Sequence, residues 1–265
     1  MEIPFTKLQG AENDFILTWG DEVRATSEFA EIARRICART TGIGADGWML
    51  VWAEAGGLRT RLFNSDGSEP EISGNGTRCA AAFGLWYKAA LPPEIVVTTA
   101  AGRKNLRLLS RGKLDFLFEM DMGSPRLEEL RTTINLVGRD FDATILDVGN
   151  PQCDLFVDKI PDDWRTAAQE AEAHPRFPKR TNVAFVRVMD RHTLDVVFYE
   201  RGAGETRSSG TGSTGAAVAA ILRKEVDSPV EIKTPAGTLQ LRWDDSVFLT
   251  GPAEIIGEGK FFLDL

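Results

Sequence analysis

The sequence predicts an α/β (α+β) fold made of two homologous halves, each a curled, mostly antiparallel sheet around a central helix. Three observations carry that expectation. Short β-rich runs dominate the chain, two Ala-rich helical stretches are almost free of charge until their ends, and the chain matches itself when shifted by about half its length.

The strand runs are FILTW, GWMLVWAE, LRTRLFN, EIVVTTA, LDFLFEM, TILDVG, CDLFVD, NVAFVRVM, TLDVVFYE, VEIKT, LQLRW and SVFLTG, rich in β-branched and aromatic residues and separated by turn formers. Residues 27 to 39 and 162 to 172 show the apolar spacing of peripheral amphipathic helices. TRCAAAFGLWYKAA and STGAAVAAILRKE are apolar on all sides, which places them inside a sheet wrap.

The self-match is ordered. FNSDGSEPEISGNGT (63–77) lies beside YERGAGETRSSGTGS (199–213), pairing Ser73 with Ser209, Asn64 with Glu200 and Glu69 with Glu205 at an offset of 136. Asn13 pairs with Asn150 at 137, and TAAGRKNLRL with TPAGTLQLRW at 135. Boundaries follow: an N-terminal half over 1–120 and a C-terminal half over 121–265, with the last strand of the chain free to pack on the first half. Each small-residue loop opens a central helix, so the expected geometry has Ser73 and Ser209 facing one another across a cleft, as a symmetric reaction would use.

Composition bounds the partners. The 265 residues are 43% hydrophobic and 26% charged, with a net charge of −8 and no basic stripe, which argues against nucleic acid or an anionic membrane and for a small ligand. MEIPFTKLQG has neither a basic nor an apolar leader region, and no run approaches the ~18 apolar residues of a membrane span, so a cytoplasmic protein is expected. Cys37, Cys79 and Cys153 are odd in number and scattered, suggesting no disulfide framework and small buried side chains. The two histidines, His174 and His192, stand in unrelated contexts, so no metal site is expected.

Ser-Gly-Asn-Gly-Thr (73–77) and Ser-Gly-Thr-Gly-Ser (209–213) open helices, whose N-terminal N–H groups and partial positive charge suit a carboxylate or phosphate. A plain serine N-cap explains either one alone; their duplication favours an anion site. GIGADG (42–47) satisfies the dinucleotide fingerprint literally, but a strand-like run follows it where the motif needs a helix. Glu200 and Arg201, adjacent at a strand end, can hold the ammonium and carboxylate of an amino acid, or form a surface ion pair. Asn13, Asn64, Asn150 and Asn182 stand beside these motifs, as turn residues or as the lining of a polar pocket.

These residues resemble the diaminopimelate epimerase family over essentially the whole chain. KLQGAENDFILT, GIGADG, FNSDGSEPEISGNGTRC, GNPQC, RTNVAFV and ERGAGETRSSGTGS occur in family order and spacing. The resemblance implies a diaminopimelate-epimerase-like fold and interconversion of LL- and meso-2,6-diaminopimelate in lysine and peptidoglycan-precursor biosynthesis. It implies chemistry without pyridoxal phosphate, metal or other cofactor, by two opposed acid/base groups, and often a homodimer. Gly74, Asn75, Gly210 and Thr211 would then hold the carboxylate of the reacting centre. Asn13, Asn64, Asn150, Asn182, Glu200 and Arg201 would line the pocket, several of them gripping the distal amino-acid end.

The departures fall at the chemistry. The family's two acid/base cysteines correspond to Ser73 and Ser209, and the histidine usual after Gly-Asn-Pro to Gln152; the first loop reads Glu12-Asn13-Asp14-Phe15. A thiol of pKa near ~8.5 is lowered at a helix N-terminus, whereas a hydroxyl lies several units higher, and each unit amounts to about 1.4 kcal/mol. Glu69 and Glu205, four residues before the serines, are candidate assisting bases. The alternatives are an epimerase whose serines act slowly or with help, a related racemase or dehydratase with another substrate, and a binding homologue or Cys-to-Ser form without turnover.

Overall fold

The computed structural model describes residues 1–23 and 28–263; the start of the helix expected from residue 27 lies outside the described residues. The chain divides into two compact units, Met1–Met120 with Gly251–Leu265, and Asp121–Thr250.

The first unit is built from β1 (Glu2–Gly10), β2 (Asn13–Trp19), β3 (Gly47–Glu54), β4 (Gly57–Asn64), β5 (Glu94–Thr99), β6 (Gly102–Arg111), β7 (Asp115–Gly123) up to Met120, and the C-terminal part of β16 (Val247–Phe262). These strands neighbour one another in that order, and β16 returns to pair antiparallel with β1, from Glu2↔Phe262 to Gln9↔Glu254. The strands therefore close on themselves and leave no open edge. The β2–β3 and β4–β5 pairs are parallel.

Inside that wrap lies α2 (Gly74–Trp86), buried at every position from Gly74 to Leu85, in keeping with its mostly small and apolar composition. Outside lies α1 (Phe29–Cys37), which turns Ile32, Ala33, Ile36 and Cys37 onto Trp48 and Phe63 of β3 and β4. Alternate residues of these strands thus meet different helices. Phe15 reaches Gly76 of α2, whereas Ile16 joins the α1 core.

The second unit uses β8 (Arg126–Leu136), β9 (Arg139–Asp147), β10 (Pro151–Phe156), β11 (Asn182–Asp190), β12 (Thr193–Glu200), β13 (Gly204–Thr206), β14 (Val230–Thr234), β15 (Gly237–Trp243) and the start of β16. The order is β16-β15-β14-β12-β11-β10-β9-β8, with β13 on β12; β10–β11 and β12–β14 are parallel. The sheet wraps α4 (Gly210–Leu222), buried from Gly210 to Ala220. On the opposite face α3 (Trp164–Glu172) packs Trp164, Ala167, Ala168 and Ala171 against Phe141, Cys153, Leu155 and Phe185.

Four strands, β1, β6, β8 and β13, fall outside the runs expected from sequence, and β16 continues to Phe262 where the expected run stops at Gly251. For β6 and β8 the reason is exposure. Residues 126–131 of β8 are all exposed, as are most of β6, so these strands carry no apolar alternation.

Candidate active site

Ser73 and Ser209 occupy the N-cap positions of α2 and α4 with nearly the same geometry. Their backbones are extended, at φ/ψ of −124°/120° and −136°/122°, and each Oγ accepts a hydrogen bond from the N–H three residues on, Gly76 or Gly212, at 3.1 Å. Each helix begins Gly-x-Gly, so small residues crowd the first turn and leave its amides close to whatever the cap faces. The first-turn N–H groups have no intrahelical acceptor, and the dipole makes this end positive.

The surroundings of the two caps differ. Glu200 ends β12 on the same strand face as Phe198, whose ring lies against Gly212 of α4, and so its carboxylate reaches the cap. Ser209 Oγ donates to Glu200 Oε2 at 2.7 Å. Asn64, at the matching place on β4, bonds instead within its own turn, Nδ2 donating to Ser68 Oγ at 3.0 Å. Among the described residues the Ser73 hydroxyl has no carboxylate acceptor.

Glu69 and Glu205, the bases suggested by sequence, do not reach the serines. Each is held in a two-point ion pair on the surface, with Arg61 at 2.6 and 2.8 Å and with Arg165 at 2.5 and 2.7 Å. The arginines hold both carboxyls below their ordinary range through these hydrogen bonds.

In the first unit Asn75, 1% exposed, donates from Nδ2 to Asn13 Oδ1 at 3.3 Å and accepts from Arg78 Nη2 at 2.5 Å. Arg78 is wholly buried, with Nε on Pro252 O at 3.0 Å and Nη1 unpartnered; burial lowers its pKa to about 10, so it stays charged at neutral pH. Asn13 in turn donates to Asp46 Oδ2 at 2.7 Å, and Asp46 and Asp14 share Arg39. Burial raises the Asp14 carboxyl, but hydrogen bonds and charge from Arg39 and Lys7 outweigh it and leave it below its ordinary value. Sequence reasoning missed Asp46, Arg39 and Lys7, whose partners lie on other segments with no periodic relation, and Arg78, which it read only as part of an apolar helix.

In the second unit Asn150 Nδ2 donates to Thr211 Oγ1 at 3.3 Å and Gln152 Nε2 to Asn150 Oδ1 at 2.6 Å. Asn182 ties two segments together, its Nδ2 on Pro151 O at 2.9 Å and its Oδ1 receiving Arg201 N at 3.0 Å. The Gly202 N–H donates to Glu172, a carboxylate on α3 also missed from sequence, at 2.8 Å. Of the expected site residues, Asn13, Ser73, Gly74 and Asn75 gather at the start of α2. Asn150, Asn182, Glu200, Arg201, Ser209, Gly210 and Thr211 gather at the start of α4, and Asn64 bonds within its own turn.

The three cysteines are free and buried, and none sits at a cap. Burial pushes the Cys37 and Cys79 thiols up to about 12 and the Cys153 thiol higher. No group of three His, Cys, Asp or Glu among the described residues is placed to hold a metal ion. No helix among them is long and apolar enough to cross a membrane. What the caps offer is hydroxyl and amide chemistry on an anion, with one carboxylate in contact.

The family model for diaminopimelate epimerase matches residues 5–128 and 144–256. The diaminopimelate epimerase of Moorella thermoacetica is 39% identical over 277 residues, covering 98% of this chain and 99% of that protein, and that of Desulforudis audaxviator is 36% identical, covering 97% and 98%. Among solved structures, a PhzF-family phenazine biosynthesis protein from Bacillus anthracis (TM-score 0.75, 12% identity, 99% and 100% coverage) and a hydroxyproline epimerase from Agrobacterium vitis (0.73, 14%, 100% and 93%) share the fold. The family model's match over both units, with relatives 36–39% identical along nearly the whole chain, makes this chain a member of the diaminopimelate epimerase family.

Proposed function

We propose that the protein is an isomerase that interconverts LL- and meso-2,6-diaminopimelate by proton transfer at one α-carbon, with Ser73 and Ser209 as the two groups that exchange the proton and no cofactor. The observation that carries the reading is the 2.7 Å hydrogen bond from Ser209 to Glu200 at the start of α4. It gives one hydroxyl a base within reach, the arrangement an activated serine needs.

In the forward step Ser209 Oγ takes the α-proton while Glu200 Oε2 takes the hydroxyl proton, so no free alkoxide forms and the substrate is left as a carbanion conjugated with its carboxylate. The N-terminal amides of α2 and α4, at Gly74, Asn75, Gly210 and Thr211, stabilise the charge that develops there. Ser73 then supplies a proton to the carbanion; water reprotonates Ser73, and the hydroxide this leaves is neutralised by the proton held on Glu200, which returns both groups to their starting states. Asn13, Asn150, Asn182 and Arg201 hold the remaining polar ends of the substrate, with Asn64 at the distal amino-acid end. The two units descend from one duplicated half on this reading; the matching cap geometry of Ser73 and Ser209 supports it. The protein works in the cytoplasm, in lysine and peptidoglycan-precursor synthesis, as a homodimer.

A second reading, binding with slow or no turnover, draws support from Ser73, which has no carboxylate acceptor among the described residues. The two separate in deuterated water. α-Proton loss from LL-diaminopimelate, followed by NMR with the native chain, supports the first; no native exchange with rescue by Ser73→Cys plus Ser209→Cys supports the second. Exchange only with another amino acid would move the substrate to a different racemase or dehydratase class.

A further inference from the structure

β10 lies between two helices, so both of its faces are buried. Cys153 and Leu155 face α3, and Gln152 and Asp154 face α4. A methyl placed on Gly215 of α4 would meet Gln152 Cγ at 3.0 Å and Asp154 Oδ2 at 3.2 Å, so both side chains close on the same glycine. Asp154 is 0% exposed, and neither of its oxygens has a hydrogen-bond partner. Gln152 Oε1 is also buried and unpartnered, while its Nε2 is fixed on Asn150 Oδ1 at 2.6 Å.

Two acceptors side by side with no donor are untenable in a dry interior; an unsatisfied buried oxygen costs about 1–3 kcal/mol and a bare charge more. The neighbours do not supply the donor. Thr144, opposite on β9, gives its hydroxyl to Leu130 O, and Ala184, opposite on β11, has none to give. The charged group that acts on Asp154 is Arg223, whose own bonds go to Asp142, Thr144 and Glu225.

We propose that Asp154 is carried as the neutral carboxylic acid and donates its proton to Gln152 Oε1, ending a buried relay Asp154–Gln152–Asn150–Thr211 that positions the side chains at the start of α4. One acid proton then serves Gln152 Oε1 and the Asp154 oxygen that carries it, leaves a neutral carbonyl in place of a bare charge on the other Asp154 oxygen, and fixes the orientation of the Gln152 amide. Burial raises the Asp154 carboxyl well above its ordinary value, outweighing the opposing charge of Arg223, in accord with this arrangement. Asp154 is a positioning residue, and its effect on substrate rests on the function proposed above.

Infrared difference spectra between the native protein and Asp154→Asn at neutral pH read the protonation state directly. Loss of a carboxylic-acid C=O band in the variant is expected, and loss of carboxylate bands in its place would overturn the proposal. By NMR, the Gln152 and Asn150 side-chain amide resonances should shift in Asp154→Val and stay near native in Asp154→Asn, whose amide keeps a donor; no movement in the valine variant would also overturn it. Diaminopimelate binding should weaken about tenfold in Asp154→Val and recover in Asp154→Asn. If the native protein does not bind diaminopimelate, the proposed function fails while the infrared and amide readouts still decide the relay. Should Asp154→Val not fold, the native and asparagine forms decide it alone.

Discussion

Ser209 Oγ and Glu200 Oε2 stand 2.7 Å apart, hydroxyl to carboxylate, while Ser73 holds the same cap geometry with Asn64 where the acid would be. The two hydroxyls are chemically unequal although their backbones are alike.

Glu200→Gln keeps the shape and the acceptor oxygen but removes the proton acceptor. Turnover should fall by about 10²–10⁴, the usual contribution of a positioned general base, with KM little changed. The loss in kcat/KM should be equal from the LL and meso sides, since the equilibrium constant belongs to the substrates. Initial rates measured in both directions test it, and an unchanged rate would remove Glu200 from the chemistry.

The serines also serve the fold. Ser73→Ala and Ser209→Ala should each lower stability by about 1 kcal/mol through loss of the N-cap bond, and the glycine variants by only a few tenths. Urea midpoints measure this separately from activity. Equal stability in the alanine and glycine variants would argue against the capping role.

Gly76 and Gly212 hold equivalent helix positions but face unlike neighbours. A methyl on Gly212 would lie 2.7 Å from the buried Phe198 ring, whereas one on Gly76 would lie 2.9 Å from the terminal methyl of Met49. A flexible methionine end gives way more easily than a packed ring. Gly212→Ala should therefore destabilise by about 1–3 kcal/mol and Gly76→Ala by less. Thermal unfolding of the two variants, side by side, gives the order.

The folded state depresses the Asp14 carboxyl, so its stabilisation is complete above the unfolded pKa of about 3.9 and is lost as pH falls through the lower folded value. Arg39 is 59% exposed, which limits the pair to less than about 1 kcal/mol. Asp14→Asn should lower stability at neutral pH and flatten its decline below pH ~4, as read from denaturant midpoints across an acid series.

Most of this architecture was legible in the sequence where a residue's role is local. The central helices show in their lack of charge, and the caps show as Ser-Gly-x-Gly twice over. Asp154 was not legible for an instructive reason. Gln152-Cys153-Asp154-Leu155 reads as polar-out, apolar-in alternation, but β10 has a helix on each face, so the polar residues that would mark the solvent side are the ones turned onto α4. Glu200 was picked out, but as a grip for an ammonium; only its strand face relative to Phe198 turns it toward Ser209. Glu69 and Glu205 misled because sequence proximity to the serines says nothing about Arg61 and Arg165, which take them on the surface. Lys7, Arg39 and Asp46 were invisible because ion pairs between separate strands and loops leave no spacing to detect.

The pairing of β1 with the end of β16 has a meaning for synthesis. Met1 and Leu263 exchange backbone hydrogen bonds, so the first unit to emerge from the ribosome is the last to be completed. Until residues 251–263 arrive, β1 and β7 lack the strand that joins them, while the later-made unit needs no residue beyond Thr250. The nascent chain thus spends its most association-prone interval with the α2 cap formed on an unclosed wall, and the last strand acts as the latch that ends it.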